Sequence, residues 1–248
     1  MASNSETGHA KNVANFENLI TSITAFGPAY NPNKNSIKLP ELQSVLDQSK
    51  VALNAVNIAH AAFSNAVAAR ETAFEPFSKL TTRINNALKA SDTTVNVNDN
   101  AKTIVRKLQG RRASAKISDE EKQALEADGK VVNQISAAQM SFDSRIENFD
   151  KLIMLLASVP AYSPNEEDLK LDALKAYHNL LKTKNNDVLV ATVQLSNARI
   201  KRNELLYKPL VGLVNVALDA KVYLKSVFGV SNPNYKQISK LSFKSIDL

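Results

Sequence analysis

The residue types that do most chemistry are sparse in this chain and poorly spaced for it. The histidines are His9, His60 and His178. A metal site built on helices needs further ligands three or four residues away. His60 and His178 have none at that spacing. Cysteine is absent, which removes thiolate nucleophiles, iron–sulfur clusters and Cys-based zinc sites. The glycines Gly8, Gly27, Gly110, Gly129, Gly212 and Gly229 are isolated, so neither a P-loop nor a Gly-x-Gly fingerprint can be built from them. The carboxylate pairs Glu120–Glu121 and Glu166–Glu167 fall where helices are expected to open. There they complement the helix dipole. These residues predict no enzyme, no metal, no cofactor and no small-molecule substrate.

Two other patterns call for a partner. The run from Lys102 to Lys116 holds Lys102, Arg106, Lys107, Arg111, Arg112 and Lys116 without an acid. Such a run can contact phosphates of a nucleic acid or an acidic protein surface, or it can be a solvated loop. It contains no aromatic on which bases would stack, which weighs against single-strand recognition. A second lysine-rich stretch, Lys221 to Lys244, carries apolar residues such as Val222, Leu224 and Val227 between its charges. That pattern fits a helix lying on an anionic membrane, or a core-facing helix with a solvated edge. The remaining candidates are Tyr30 and Tyr162, in paired Pro-Ala-Tyr-x-Pro-Asn turns. They read either as contacts at two related binding spots or as turn-fixing residues with the ring packed on the bundle.

The elements that would position these residues are helices. Gly and Pro number only 6 and 8 in 248 residues, so connections are few and elements long. Leu42, Leu46, Ser49, Leu53, Val56, His60, Phe63, Val67, Arg70 and Phe74 alternate four and three residues apart. This is the seam of coiled-coil-like packing. Beside it runs an alanine stripe from Ala52 to Ala73. The segment 92–100 reads as loop, and 101–109 as a short basic helix. Ser118–Glu121 reads as a capping box opening another short helix. Ser163, Pro164 and Glu166 offer a start for a second long helix, as Asn31-Pro32 does for the first, with Pro40 delaying it.

The chain is also internally repeated. Asn15-Phe16-Glu17-Asn18-Leu19-Ile20 matches Asn148-Phe149-Asp150-Lys151-Leu152-Ile153 at an offset of 133 residues. The Pro-Ala-Tyr turns match at 132, and Phe74 and Pro76 face Tyr207 and Pro209 at 133. The match decays along the third helix, where Leu88 faces Lys221. The expectation is an all-α, internally duplicated helical bundle with long coiled-coil-like helices and a helical/loop insertion between the copies. Its parts are a flexible N-terminus (1–11), a first helical unit (12–90), a basic connecting segment (91–140), a second unit (141–229) and a C-terminal tail (230–248). The two units are expected to pack as one domain.

Net charge is +7. The N-terminus lacks the pattern of a secretory signal, and the most apolar windows, 152–159 and 209–218, are too short to span a bilayer. Together these features point to a cytoplasmic location. Around Gln109–Lys116 and Gln139–Arg145 the chain resembles a family of uncharacterised all-helical proteins of Bacteroidetes bacteria. The resemblance implies a bacterial context and no particular activity. The function expected from all this is a non-enzymatic scaffold that self-associates or binds a protein partner. A membrane-active helical protein and a basic nucleic-acid binder are the alternatives.

Overall fold

The computed structural model describes residues 7–111, 127 and 140–246. The expected contacts Arg112 and Lys116, and the capping box Ser118–Glu121, lie outside the described residues. The fold is all-helical, as the sequence implied, with no strand among the described residues. The helices are α1 (Thr7–Phe26), α2 (Leu39–Phe74), α3 (Phe77–Lys89), α4 (Val95–Leu108), α5 (Phe142–Ala157), α6 (Leu171–Tyr207), α7 (Leu213–Phe228) and α8 (Pro233–Ser239).

The chain divides into two compact units. One comprises residues 1–64 and 191–248, the other 65–190. Both long helices, α2 and α6, contribute residues to each. In the first unit the core is Phe16, Leu19 and Ile23 of α1, Leu42 and Leu46 of α2, Leu206 of α6, Leu213, Ala217 and Leu224 of α7, and Ile238 of α8. In the second unit it is Phe77, Ile84 and Leu88 of α3, Val105 and Leu108 of α4, Phe149, Leu152 and Leu156 of α5, and Leu174 and Leu181 of α6. Both cores are mainly aliphatic, as the scarcity of aromatics requires, and burial of that surface is the principal driving force.

Helix ends follow local chemistry. Proline has no amide hydrogen and crowds the preceding turn, so Pro76 separates α2 from α3. Pro40 is accommodated in the first turn of α2, where its missing donor costs nothing. After α6 the chain turns sharply. Leu210 takes a left-handed φ of 69°, and the Gly212 amide donates to the Lys208 carbonyl at 2.8 Å. A β-carbon on Gly212 would meet the Lys208 backbone at 2.7 Å, so glycine is needed there.

Four boundaries differ from the sequence reading. α1 begins at Thr7, inside the segment 1–11 expected to be flexible. α4 begins at Val95, inside the segment read as loop, because the Thr94 hydroxyl caps it by accepting from the Val97 amide (3.5 Å). α6 begins at Leu171, beyond the expected start at Ser163 and Pro164. A 3₁₀ turn, Glu167–Leu169, intervenes, and the first amide-to-carbonyl bond into the helix runs from Leu174 to Lys170 (3.0 Å). The C-terminal tail contains α8, capped by Asn232, and an extended segment after it. The Asn12 side chain brackets Lys244 of that segment, donating to its carbonyl (2.8 Å) and accepting from its amide (3.1 Å).

Candidate functional site

The two tyrosine turns are built alike. The Tyr30 hydroxyl donates to the Ile37 carbonyl at 2.5 Å, and the Tyr162 hydroxyl donates to the Leu169 carbonyl at 2.9 Å. Both bonds close a loop of seven residues, and donor and acceptor alike are displaced by 132 residues from one turn to the other. Each ring seals the passage from a short helix to a long one, and each hydroxyl satisfies a carbonyl that the 3₁₀ turn leaves free. Burial pushes the Tyr162 phenol up to about 12, with Glu166 and Asp168 adding to the effect. Burial also raises Tyr30, and Tyr223 adds to it. Neither phenol is poised for proton transfer near neutrality.

What surrounds the turns differs. In the first unit Tyr223 of α7 stands edge-on to Tyr30, with ring centroids 5.3 Å apart and planes at 86°. Its hydroxyl accepts a hydrogen bond from the Asn31 amide at 3.2 Å. Beside this pair Lys34 and Asp219 form an ion pair at 2.5 Å. In the second unit a cleft of about 510 Å³ lies against the Tyr162 turn. Its walls are Ala87 and Ala90 at the end of α3, Asn86 beside them, and Ser163 and Glu166 in the turn. Arg83 stands at its edge and forms a two-pronged ion pair with Asp168. That bond holds the Asp168 carboxyl below the usual carboxylate range. Tyr162 is only 5% exposed, and Ala87, Ala90, Ala161 and Pro164 contribute to the apolar wall.

The sequence singled out Tyr30 and Tyr162 but not the residues facing them. The signal was present in the repeat. At an offset of 133, Tyr223 falls opposite Ala90 and Asp219 opposite Asn86.

α4 turns Ala101, Val105 and Leu108 into the core. Lys102 and Arg111 are exposed, while Arg106 and Lys107 are half-buried along its flank. The Nε of Arg106 is buried without a hydrogen-bond partner. His60 is exposed on α2. His9 is buried, with its Nδ1 2.7 Å from the Tyr207 hydroxyl. His178 lies against the Phe149 ring.

The long helices carry a feature the sequence reading passed over. Between Lys50 and Arg70, α2 has no charged residue. This helix is long and apolar enough to cross a membrane by length and composition, yet only 11% of its most apolar window is buried. Val51 is 70% exposed and Ile58 63% exposed. A groove of about 350 Å³ runs along this helix within the first unit, lined by Val51, Ala52 and Ala55 of α2 and by Lys201 and Leu205 of α6.

No protein-family model matches this chain, and no curated protein or solved structure matches it.

Proposed function

We propose that the protein is a non-enzymatic helical scaffold, made of two diverged copies of one helical unit, that associates with further copies of itself along the apolar flank of α2. The observation that carries this reading is the uncharged, largely exposed stretch between Lys50 and Arg70. Seven residues separate Val51 from Ile58, which puts them on one face of the helix. Ala55 lies between them on the same flank, where a small residue permits close approach of a second helix. Part of the coiled-coil seam is already occupied: Val56, Ala59 and Leu195 form a small cluster with Phe63 and Ala198 around it. Contiguous apolar surface left outside such a cluster is what self-associating helices bury. The copies are supported by the matched tyrosine-to-carbonyl bonds at Tyr30 and Tyr162.

Light scattering coupled to size exclusion, run over a range of concentrations, tests the proposal. The wild-type chain is expected to exceed the monomer mass. V51E and I58E together are expected to return it to 27.1 kDa with helicity unchanged, since both side chains are exposed in the single chain. A wild-type chain that stays monomeric at high concentration overturns self-association.

The same stretch favours one other reading, insertion into a bilayer, because a helix of this length and composition can span one. Release of dye from anionic vesicles by the wild-type chain, abolished by V51E and I58E, would select it over self-association.

A further inference from the structure

The cleft beside Tyr162 has an internal counterpart that shows what fits it. The counterpart rests on the proposed equivalence of the two copies, and three separate pairs in the structure agree with that equivalence. The tyrosine hydroxyls close the same seven-residue loop in both turns. Lys34 and Asp219, which pair in the first unit, correspond to Glu166 and Asn86, which both line the cleft in the second. Tyr223, which stands against Tyr30, corresponds to Ala90, which also lines the cleft. The offsets that align the sequences, 132 in the turns and 133 in the third helix, therefore put the wall residues of the two sites in correspondence. The first unit closes its turn with its own phenol ring. The second has a methyl group at that position and an opening of about 510 Å³. That volume lies within the range of roughly 300–1,000 Å³ typical of small-ligand pockets.

We infer that the cleft beside Tyr162 binds a phenol group, as the side chain of a tyrosine or as a free small phenol, in the position that Tyr223 takes beside Tyr30. The recognition chemistry is already displayed in the first unit. The Asn31 amide donates to the Tyr223 hydroxyl at 3.2 Å. The Ser163 amide stands at the corresponding place and donates to nothing among the described residues. Ala87 and Ala90 give the ring an apolar wall. Glu166 and Asn86, in the places of Lys34 and Asp219, form a polar rim beyond the ring, with the Arg83 guanidinium near Glu166. A phenol meets both demands, because it buries a ring and presents a hydroxyl to an amide. Toluene meets only the first.

Saturation-transfer NMR and calorimetry on the full-length chain test this with p-cresol, toluene and N-acetyl-tyrosinamide. The expected result is one p-cresol bound per chain, with toluene at least several-fold weaker. Binding of N-acetyl-tyrosinamide as tightly as p-cresol assigns the site to a peptide tyrosine, and clearly tighter p-cresol assigns it to a free phenol. Either supports the site. A90Y supplies the ring that the first unit carries and is expected to weaken p-cresol at least ten-fold. A90L, a smaller plug, should do the same if the tyrosine variant loses helicity. Y223A opens the first unit's turn and is expected to raise the stoichiometry to two. No p-cresol binding, or binding untouched by both Ala90 variants, overturns the inference. Binding that the Ala90 variants abolish, without a second site in Y223A, upholds the cleft and overturns the equivalence of the copies.

Discussion

Tyr162 performs two separate tasks at the residue scale, and they can be measured apart. Its hydroxyl satisfies the Leu169 carbonyl, and its ring is buried in the second unit's core. Tyr162→Phe keeps the ring and orphans the carbonyl. We expect a loss of about 1 kcal/mol in denaturant unfolding, the usual net worth of one such bond. The phenols also make stability depend on alkaline pH. Burial disfavours the charged phenolate, so Tyr162 and Tyr177 ionise near 12 in the folded chain and near 10 once unfolded. A pKa raised by folding stabilises fully below pH 10, and that contribution is lost as pH climbs toward 12. Absorbance at 295 nm should show these phenols ionising late, together with a fall in stability between pH 10 and 12. Six tyrosines titrating together near 10 in an intact fold would contradict it. His9, whose role no spacing rule revealed, falls opposite Phe142 at the sequence offset of 133, and Tyr207 opposite Phe74. The first unit joins them through a hydrogen-bonding distance of 2.7 Å, the second through ring centroids 4.8 Å apart. In the second unit guanidinium groups complete the cluster, with Arg70 3.9 Å from the Phe142 centroid and Arg145 4.8 Å from that of Phe74.

At the scale of elements, the features readable in the sequence were those set by neighbours along the chain. Pro76 and Pro209 mark the ends of the long helices, and the spacing of Phe16, Leu19 and Ile23 gives the buried face of α1. The start of α4 was missed because a threonine cap three residues ahead of Val97 looks like any polar loop until Ala101, Val105 and Leu108 find their core. The start of α6 was misplaced for the opposite reason. A sound capping sequence at Ser163 is overruled by the Tyr162 bond to Leu169, which fixes the intervening residues as a turn. The cleft was legible only in principle, since Tyr223 reaches Asn31 across 192 residues of sequence. Lys221, where the repeat breaks, has a role of its own. Its ammonium donates to the carbonyls of Ser239 (3.1 Å) and Leu241 (2.6 Å), pinning the segment that Asn12 and Asn15 then hold. Leu88, at the matching place, lies in the second unit's core. Lys221→Met should cost about 1 kcal/mol locally, discounted for partial exposure. The readout is hydrogen exchange of the Lys244 amide, expected to quicken about five-fold while α1 amides hold their protection. Unchanged exchange at Lys244 would mean that the asparagines alone suffice.

At the scale of the whole chain, the sequence repeats and the compact units do not coincide, and this makes opposite predictions about fragments. The first repeat, 12–90, contains α2, α3 and all but the first five residues of α1. Excised, it would expose Phe16, Leu19 and Ile23, whose core partners include Leu213, Ala217 and Leu224 of α7. It would expose Phe77, Ile84 and Leu88 as well, which pack with Val105, Leu108, Phe149 and Leu152. Stripped of both sets of partners, the fragment would keep only the packing of α1 on Leu42 and Leu46 of α2 beside intrinsic helix propensity, which is marginal in water. Residues 65–190 form a continuous piece that keeps the entire second core, from Phe74 to Leu181. We therefore expect the 65–190 fragment to unfold cooperatively, with protected amides in α3 and α5, and the 12–90 fragment to show low helicity and no cooperative transition. Mixing 12–90 with 91–248 should restore both cores, because every partner missing from one fragment is present in the other. Circular dichroism of the mixture should then exceed the sum of its parts. If 12–90 folds cooperatively by itself, the repeat is the folding unit, and the division of the cores between distant segments is not what stabilises the chain.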